Sequence, residues 1–457
     1  MRVFLVSLGC DKNRVDSEVM LGRLSASGHN LTDDEEQAEA VIVNTCCFID
    51  AAKEESIAEI LAYAERKERG ELRCLIVTGC LAQRYKEEIV KEIPEVDAVV
   101  GVTAIDEIAA VLDRAAKRRT GRAQVVIGPS DPPARAAKGR VLTVTGGHEY
   151  LRIAEGCDKH CTYCIIPRVR GRYRSVPMED LIEEASFLAG QGVTELILVA
   201  QETTLYGVDL YGEKKLPELL KKLCAIDGFR WIRLLYCYPE EIDDALIEVI
   251  ATEPKICRYL DLPIQSGSDR ILKRMGRRID RQGIIDLVTR LRKRIPDICL
   301  RTTLITGFPG ETAADHRESM ELVRTLCFDR LGVFTYSQEE GTPAAKLPDQ
   351  VPERVKKTRR TKLMKLQQEI TFAKNRALTG RRTEALIEGR LTEESGPDGD
   401  VYVARTYRDA PEVDGALFVE GVDPARELYS GSIIEVRITG AEGYDLTGVP
   451  ARGGRKK

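Results

Sequence analysis

Three cysteines crowd the stretch Gly156-Cys157-Asp158-Lys159-His160-Cys161-Thr162-Tyr163-Cys164, spaced C-x₃-C-x₂-C. Thiolates at this spacing can hold three corners of a cubane [4Fe–4S] cluster, one ligand short of the usual four. The fourth iron is then open to a small molecule. A structural zinc site wants four closed ligands. His160, the only local candidate for the fourth, abuts Cys161 and strains a shared tetrahedron. Three buried structural thiols are the bland alternative, and the tight spacing weighs against it.

Composition narrows the setting. The chain has 457 residues, room for two or three domains, and its 43% hydrophobic content allows sizeable cores. A net charge of −4 speaks against wholesale electrostatic capture of nucleic acid. Thirteen cysteines against four histidines suggest a reducing, cytoplasmic location, with cysteines serving metal or catalysis rather than disulfides. Histidine-based acid–base chemistry is poorly supplied. Met1–Val6 reads as a strand rather than a signal segment, and no run approaches the ~18 apolar residues of a membrane span.

The elements that must position the chemistry read as α/β. Strands are predicted over residues 3–8, 40–44, 74–78 and 96–100, with helices over 17–24, 49–68 and 105–118. This alternation argues a parallel, flavodoxin-like sheet. Cys10, Cys46 and Cys80 each fall just past a strand end, where ligands of such sheets sit. Three thiols distant in sequence should converge on one sheet edge. They are either a second set of cluster ligands or buried core cysteines. Cys47 and Cys74 read as structural.

Residues 128–142 read as a linker after a first domain over 1–127. Strands are then predicted over 150–154, 195–200, 231–236, 258–262, 298–305 and 331–336, separated by helical patterns. Six βα units suggest a partial (β/α)6 TIM-like barrel over 143–378, with its active face at the strand C-termini. The C-x₃-C-x₂-C loop follows the first of these strands. Cys224, Cys237, Cys257, Cys299 and Cys327 lack ligand spacing and read as core thiols. Residues 351–378, with nine Lys/Arg against two acids, read as a connecting helix with a solvated face rather than a binding surface. Five short strands over 379–450 suggest a small antiparallel OB-like barrel, and 451–457 a basic tail. Residues 380–450 carry seven arginines, no lysine and fifteen acids, so this barrel should repel phosphate and attract a basic partner.

C-x₃-C-x₂-C with Tyr163 before the last cysteine resembles the radical S-adenosylmethionine (SAM) superfamily. That resemblance implies a six-stranded barrel in which the open iron chelates SAM and the reduced cluster cleaves it to a 5′-deoxyadenosyl radical. It implies cofactor contacts at the other strand ends: Tyr163 beside the cluster, Gln201 and Glu202 after strand two, Ser266 after strand four, and Gly307 and Glu311 after strand five. One of Arg168, Arg170, Arg172 and Arg174 would pair with the SAM carboxylate.

Gly9-Cys10 with Asn13 and Asp16-Ser17-Glu18, then Asn44-Thr45-Cys46, then Gly79-Cys80, resemble the N-terminal domain of the methylthiotransferase family within that superfamily. There Cys10, Cys46 and Cys80 would hold a second, auxiliary [4Fe–4S] cluster. Residues 379–450 resemble the family's TRAM domain. Tyr150–Cys157, Ala200–Gly212, Arg233–Tyr236, Tyr336–Thr342 and Ala404–Gly415 resemble the branch that modifies an aspartate of small-subunit ribosomal protein S-twelve, free or within the ribosome. Gln265–Ser268 looks more like the branch that modifies tRNA adenosines with the same chemistry. The resemblance implies two clusters, SAM as radical source and methyl donor, a flavodoxin or ferredoxin as electron donor, and only secondary nucleic-acid contact.

Overall fold

The computed structural model describes residues 1–117, 123–143, 147–396 and 399–451. The tail from Arg452 onward lies outside the described residues. The chain begins as β1 (Arg2–Ser7), α1 (Asp11–Ala26), β2 (Asn30–Leu31), β3 (Ala40–Thr45), α2 (Asp50–Glu68), β4 (Cys74–Thr78), α3 (Gly79–Tyr85), α4 (Glu87–Glu92), β5 (Ala98–Val100), α5 (Ile108–Lys117) and β6 (Gln124–Val126). Its strands form a parallel sheet in the order β2-β1-β3-β4-β5-β6, the flavodoxin-like arrangement. β3 and β4 are apolar and buried along their whole length, as strands covered on both faces must be. The two edge strands were not legible in the sequence, because two or three residues carry no periodicity. α1 starts directly after Cys10, six residues before the predicted start. Its first turns are polar but buried, so apolar spacing could not mark them.

The described residues between the first and second sheets form no helix or strand. Several are nevertheless fixed. Ala137 donates its N–H to Glu184, and the buried Arg140 pairs with Glu18 of α1 at 3.1 Å.

The second sheet is built from β7 (His148–Arg152), β8 (Ala154–Glu155), α6 (Ile166–Val169), β9 (Arg174–Ser175), α7 (Met178–Gly190), β10 (Glu195–Val199), α8 (Val208–Tyr211), α9 (Leu216–Cys224), β11 (Trp231–Leu234), α10 (Asp244–Thr252), β12 (Ile256–Asp261), α11 (Asp269–Arg274), α12 (Arg281–Arg294), β13 (Cys299–Thr306), α13 (Ala313–Leu326) and β14 (Arg330–Thr335). Six strands lie parallel in the order β14-β13-β12-β11-β10-β7, an open partial barrel; β8 and β9 form a separate antiparallel pair. One side of each strand (Leu196 and Leu198, Ile232 and Leu234, Leu260, Leu300) packs under the helices in the largest core of the chain.

The other side of the sheet holds Ile197, Trp231, Cys257, Tyr259 and Cys299. It is covered by Val15 and Val19 of α1 and by Ala410 from the last domain. That domain comes after the long α14 (Glu353–Arg376), four of whose cations are tied down. Lys356, Arg359, Arg360 and Lys374 bond Tyr336, Glu311, Val333 and Asp329. The helix is therefore fastened along the barrel and carries the last domain at its end. β15 (Arg382–Gly396), β16 (Gly399–Arg405), β17 (Leu417–Val422), β18 (Ile433–Glu442) and β19 (Asp445–Pro450) close into a five-stranded barrel. Its β16–β17 loop enters the open side of the second sheet. There Asp409 pairs with Arg330 at 2.7 Å, and Asp414 accepts from the Tyr259 hydroxyl at 2.8 Å. Among the described residues no helix is long and apolar enough to cross a membrane.

Candidate functional site

Cys10, Cys46 and Cys80 lie at neighbouring strand ends of the first sheet. Cys10 is the N-cap of α1, Cys46 follows β3, and Cys80 sits in the first turn of α3. Two of the three cysteines thus sit at helix N-termini, positions that favour negative charge. Gly79 has φ +91°, and a Cβ there would lie 2.4 Å from Asn44 Oδ1 and 2.5 Å from the Thr45 carbonyl. Only glycine lets the Cys80 turn approach the Cys46 loop this closely. Asn13 Nδ2 donates to the Leu8 and Thr45 carbonyls, and Asn44 Nδ2 to the Asn13 carbonyl and Ser17 Oγ. The polar residues of the N-terminal motif are the frame that binds these loops together.

The thiols are within electrostatic reach of one another. Burial pushes Cys46 up to about 12, and the negative charge of Cys80 and Cys10 adds to the rise. Burial raises Cys80 as well, opposed by the nearby Arg170 guanidinium. Such thiols ionise only when positive charge stands among them, which an iron cluster would supply.

Cys157, Cys161 and Cys164 follow β8 as one loop. Burial pushes Cys157 up to about 11, with the Cys161 sulfur adding to the rise. Burial also raises Cys164, with Cys161 and Cys157 as like-charged neighbours. Cys161 Sγ lies 3.7 Å from the Tyr238 hydroxyl. His160, with φ +53°, is exposed. Among the described residues no three Cys, His, Asp or Glu side chains close on a site for a single metal ion.

The other expected cofactor residues divide into two groups. Gln201 Oε1 and Glu202 Oε2 are buried without a hydrogen-bond partner. Glu202 keeps its other oxygen on the Thr204 amide at 2.8 Å, and burial lifts the carboxyl to about 7 against the pull of Thr204 and Lys159. Lys159 of the cysteine loop stands 3.7 Å from Glu202 Oε2, and both acceptors lack a hydrogen-bond donor, which suits the amino group of SAM. Tyr163 is partly buried, its ring edge-on to Phe308 at 6.5 Å. The remaining residues shape turns. Ser266 Oγ accepts from the Ser268 amide, Gly307 donates its N–H to Glu311 Oε2 at 2.7 Å, and Glu311 pairs with Arg359 at 2.8 Å. The Glu311 carboxylate is therefore committed to the protein.

The four arginines of the loop separate in the same way. Arg170 is taken by Glu155, Asp16 and Asn13, and Arg174 by Asp131. The Arg172 amide also bonds Asp131, and Arg168 is exposed. Arg170 is a bridge that sequence reasoning did not single out: it joins the cysteine loop of the barrel to the Asn13–Asp16 turn of the first sheet. Cys47, Cys74, Cys237, Cys257 and Cys299 are buried core thiols, while Cys224 and Cys327 are partly exposed.

The two triads meet the same loop. Tyr236, just past β11, hydrogen-bonds Asp11 beside Cys10 at 3.0 Å, and Tyr238, two residues on, touches Cys161. A second contact closes the first sheet against the barrel: the buried Glu339 pairs with Lys53 at 3.0 Å and Arg84 at 2.8 Å. Glu339 lies in the Tyr336–Thr342 stretch, and its charge serves as an interdomain clamp.

Comparison with known proteins agrees with this architecture. The model described as uncharacterized protein family UPF0004 matches residues 2–101, the radical SAM superfamily residues 151–323, and the TRAM domain residues 379–450. The ribosomal protein uS12 methylthiotransferase RimO of Lachnoclostridium phytofermentans is 58% identical over 449 residues, covering 98% of this chain and 99% of that one. The RimO of Acetivibrio thermocellus is 49% identical over 451 residues, covering 98% of each. Among solved structures, the radical SAM methyltransferase TsrM from Kitasatospora setae, with cobalamin and a [4Fe–4S] cluster bound, matches with a TM-score of 0.54. Its 16% identity, over 75% of this chain and 76% of that one, marks a likeness of fold.

Proposed function

Because the chain belongs to the family of ribosomal protein uS12 methylthiotransferases, we propose that it adds a methylthio group to the β-carbon of an aspartate in that protein, S-twelve of the small subunit. It is a radical SAM enzyme that works with iron–sulfur and SAM. The reading assigns Cys157, Cys161 and Cys164 to the SAM-cleaving cluster and Cys10, Cys46 and Cys80 to an auxiliary one. It divides the chain into 1–127, a linker over 128–142, a barrel with its basic helix over 143–378, the TRAM domain over 379–450 and a tail from 451.

The observation that carries the proposal is the loop Tyr236-Cys237-Tyr238, with Cys10's neighbour at one end and Cys161 at the other. Transfer of sulfur to a carbon radical needs both centres on one cavity, because the radical must not diffuse or meet water. When bound, the two clusters and SAM supply the hydrogen abstraction, the sulfur and the methyl group, chemistry that lies beyond amino-acid side chains.

The chain's own residues contribute position and dryness. Gln201 offers an acceptor without a hydrogen-bond partner to the amino group of SAM, and Glu202 one held only by the Lys159 ion pair. Tyr163 and Phe308 stack edge to face beside the cysteine loop and limit water there. Arg170 holds the two cysteine frames in register through Asp16 and Glu155. The outer face of the TRAM barrel keeps Glu393, Glu394, Glu420, Asp423, Glu427, Glu435 and Glu442 exposed. That acidity suits a basic ribosomal protein better than RNA and would steer its approach. The TRAM assignment and the Gln265–Ser268 turn favour a second reading, the same chemistry on a tRNA adenosine.

Anaerobically reconstituted protein with SAM, a reductant (dithionite, then a flavodoxin or ferredoxin) and uS12 tests this. Mass spectrometry should find methylthio-aspartate in uS12 and no modified adenosine in tRNA. Failure to form 5′-deoxyadenosine would sink the enzymatic reading altogether.

A further inference from the structure

Lys12, the second residue of α1, is 5% exposed, and its ammonium stands 3.2 Å from the centroid of the Tyr236 ring. Ten lysines and arginines of the described chain are buried, and nine have a carboxylate within ion-pair distance. Lys12 alone has neither a carboxylate nor a hydrogen-bond acceptor among the described residues. The stem is buried while the ammonium nitrogen keeps contact with solvent beside the Tyr236 ring, and the ring face offsets only part of the cost of placing a cation there without an anion. The cation is thus free to take an anion from outside the chain.

Location identifies the anion. Lys12 lies two residues past Cys10, yet the cation acting on the Cys46 and Cys80 thiols is Arg170. Lys12 reaches instead across the interface to Tyr236, whose hydroxyl is held by Asp11 and whose backbone sits at φ +59°. A fixed ring and a bare cation thus stand beside Cys10, on the loop that touches Cys161 two residues later, close to where the proposed function requires the target side chain. That side chain is itself a carboxylate, one bond from the carbon to be modified.

We propose that Lys12 is the specificity residue for the substrate: its ammonium takes the carboxylate of the target aspartate and, with the Tyr236 ring as a shelf, holds the β-carbon between the two cysteine triads. This rests on the function proposed above. A neutral asparagine cannot make the same pair, so the site selects aspartate.

The test is a double-mutant cycle on the full-length, anaerobically reconstituted protein. Affinity is measured for uS12 and for uS12 with asparagine at the target aspartate, using parent, Lys12→Met and Lys12→Arg proteins. Methionine keeps the length of the side chain and its packing; arginine keeps the charge. Lys12→Met should weaken binding of uS12 by roughly 30-fold or more, the loss expected when one partner of a buried charge pair is removed. It should weaken the asparagine form by less than about threefold, and Lys12→Arg should recover most of the affinity. An equal loss against both forms of uS12 would overturn the assignment. So would weakened affinity for SAM with uS12 binding intact, since the anion would then be the SAM carboxylate. Absence of 5′-deoxyadenosine from the parent protein would remove the underlying function instead, and is read separately.

Discussion

The two cysteine triads reach similar surroundings by opposite routes. Cys157, Cys161 and Cys164 span one loop, so local chain geometry brings them together. Cys10, Cys46 and Cys80 come from three separate strand ends, and only the parallel pairing of β1, β3 and β4 makes them neighbours. The local triad needs a loop of the right length; the dispersed triad needs an entire sheet in register and a glycine where two turns touch. A local site should therefore survive damage to its domain that a dispersed site would not.

The largest expected effect separates their chemistry. Cys157→Ala should abolish 5′-deoxyadenosine formation, whereas Cys10→Ala should leave SAM cleavage measurable and remove the methylthio product. Each should lower the iron content of anaerobic protein by roughly half, if each triad holds one [4Fe–4S] unit. Loss of SAM cleavage in both variants would break the division of labour.

Next in size is the assembly of the dispersed triad. Gly79→Ala places a Cβ 2.4 Å from Asn44 Oδ1 at a φ of +91°. It should destabilise the first domain by at least ~2 kcal/mol and deplete its iron while sparing the barrel's. Thermal unfolding followed alongside iron content checks this, and an unaltered melt would show that the turn has room to move.

The clamp between the regions comes third. Glu339→Gln removes the carboxylate that Arg84 and Lys53 share, leaving them Glu340 and Asp50. About 1.5 kcal/mol of stability should be lost, the scale of a hydrogen bond to a charged group. SAM cleavage should then proceed with less transfer to uS12, so the ratio of 5′-deoxyadenosine to product should rise. An unchanged ratio would show that the clamp plays no part in aligning the triads.

The smallest effect belongs to the barrel alone. His316 on α13 is held down to about 4 by burial and by the charges of Arg359 and Lys362 on α14. The unfolded chain takes up this proton near the ordinary value of 6.5, while the folded chain does not. Stability is thus complete above 6.5, falls as the pH drops toward 4, and levels off below it. The change should appear as a loss of unfolding free energy confined to the interval between these two values. Urea unfolding of His316→Gln should lack this component.

The same contrast explains what could be read in advance. Strands such as 74–78 and helices such as 281–294 announce themselves by apolar periodicity, because each must bury one face whatever its neighbours are. C-x₃-C-x₂-C was legible because its members are adjacent in the chain. Cys10, Cys46 and Cys80 could be placed at strand ends, but their convergence depended on strand order. The Arg170 bridge, the Glu339 clamp and the unpaired Lys12 gave no sequence signal. A buried charge looks like a surface charge until its partners are known.

Sequence by itself determined the α/β alternation, the six-strand barrel and the C-x₃-C-x₂-C loop, because periodicity and short spacing are properties of neighbouring residues. Tertiary structure decided which charges are paired, which turns touch, and that one loop serves both triads. Those are relations between residues tens to hundreds of positions apart, and packing alone sets them.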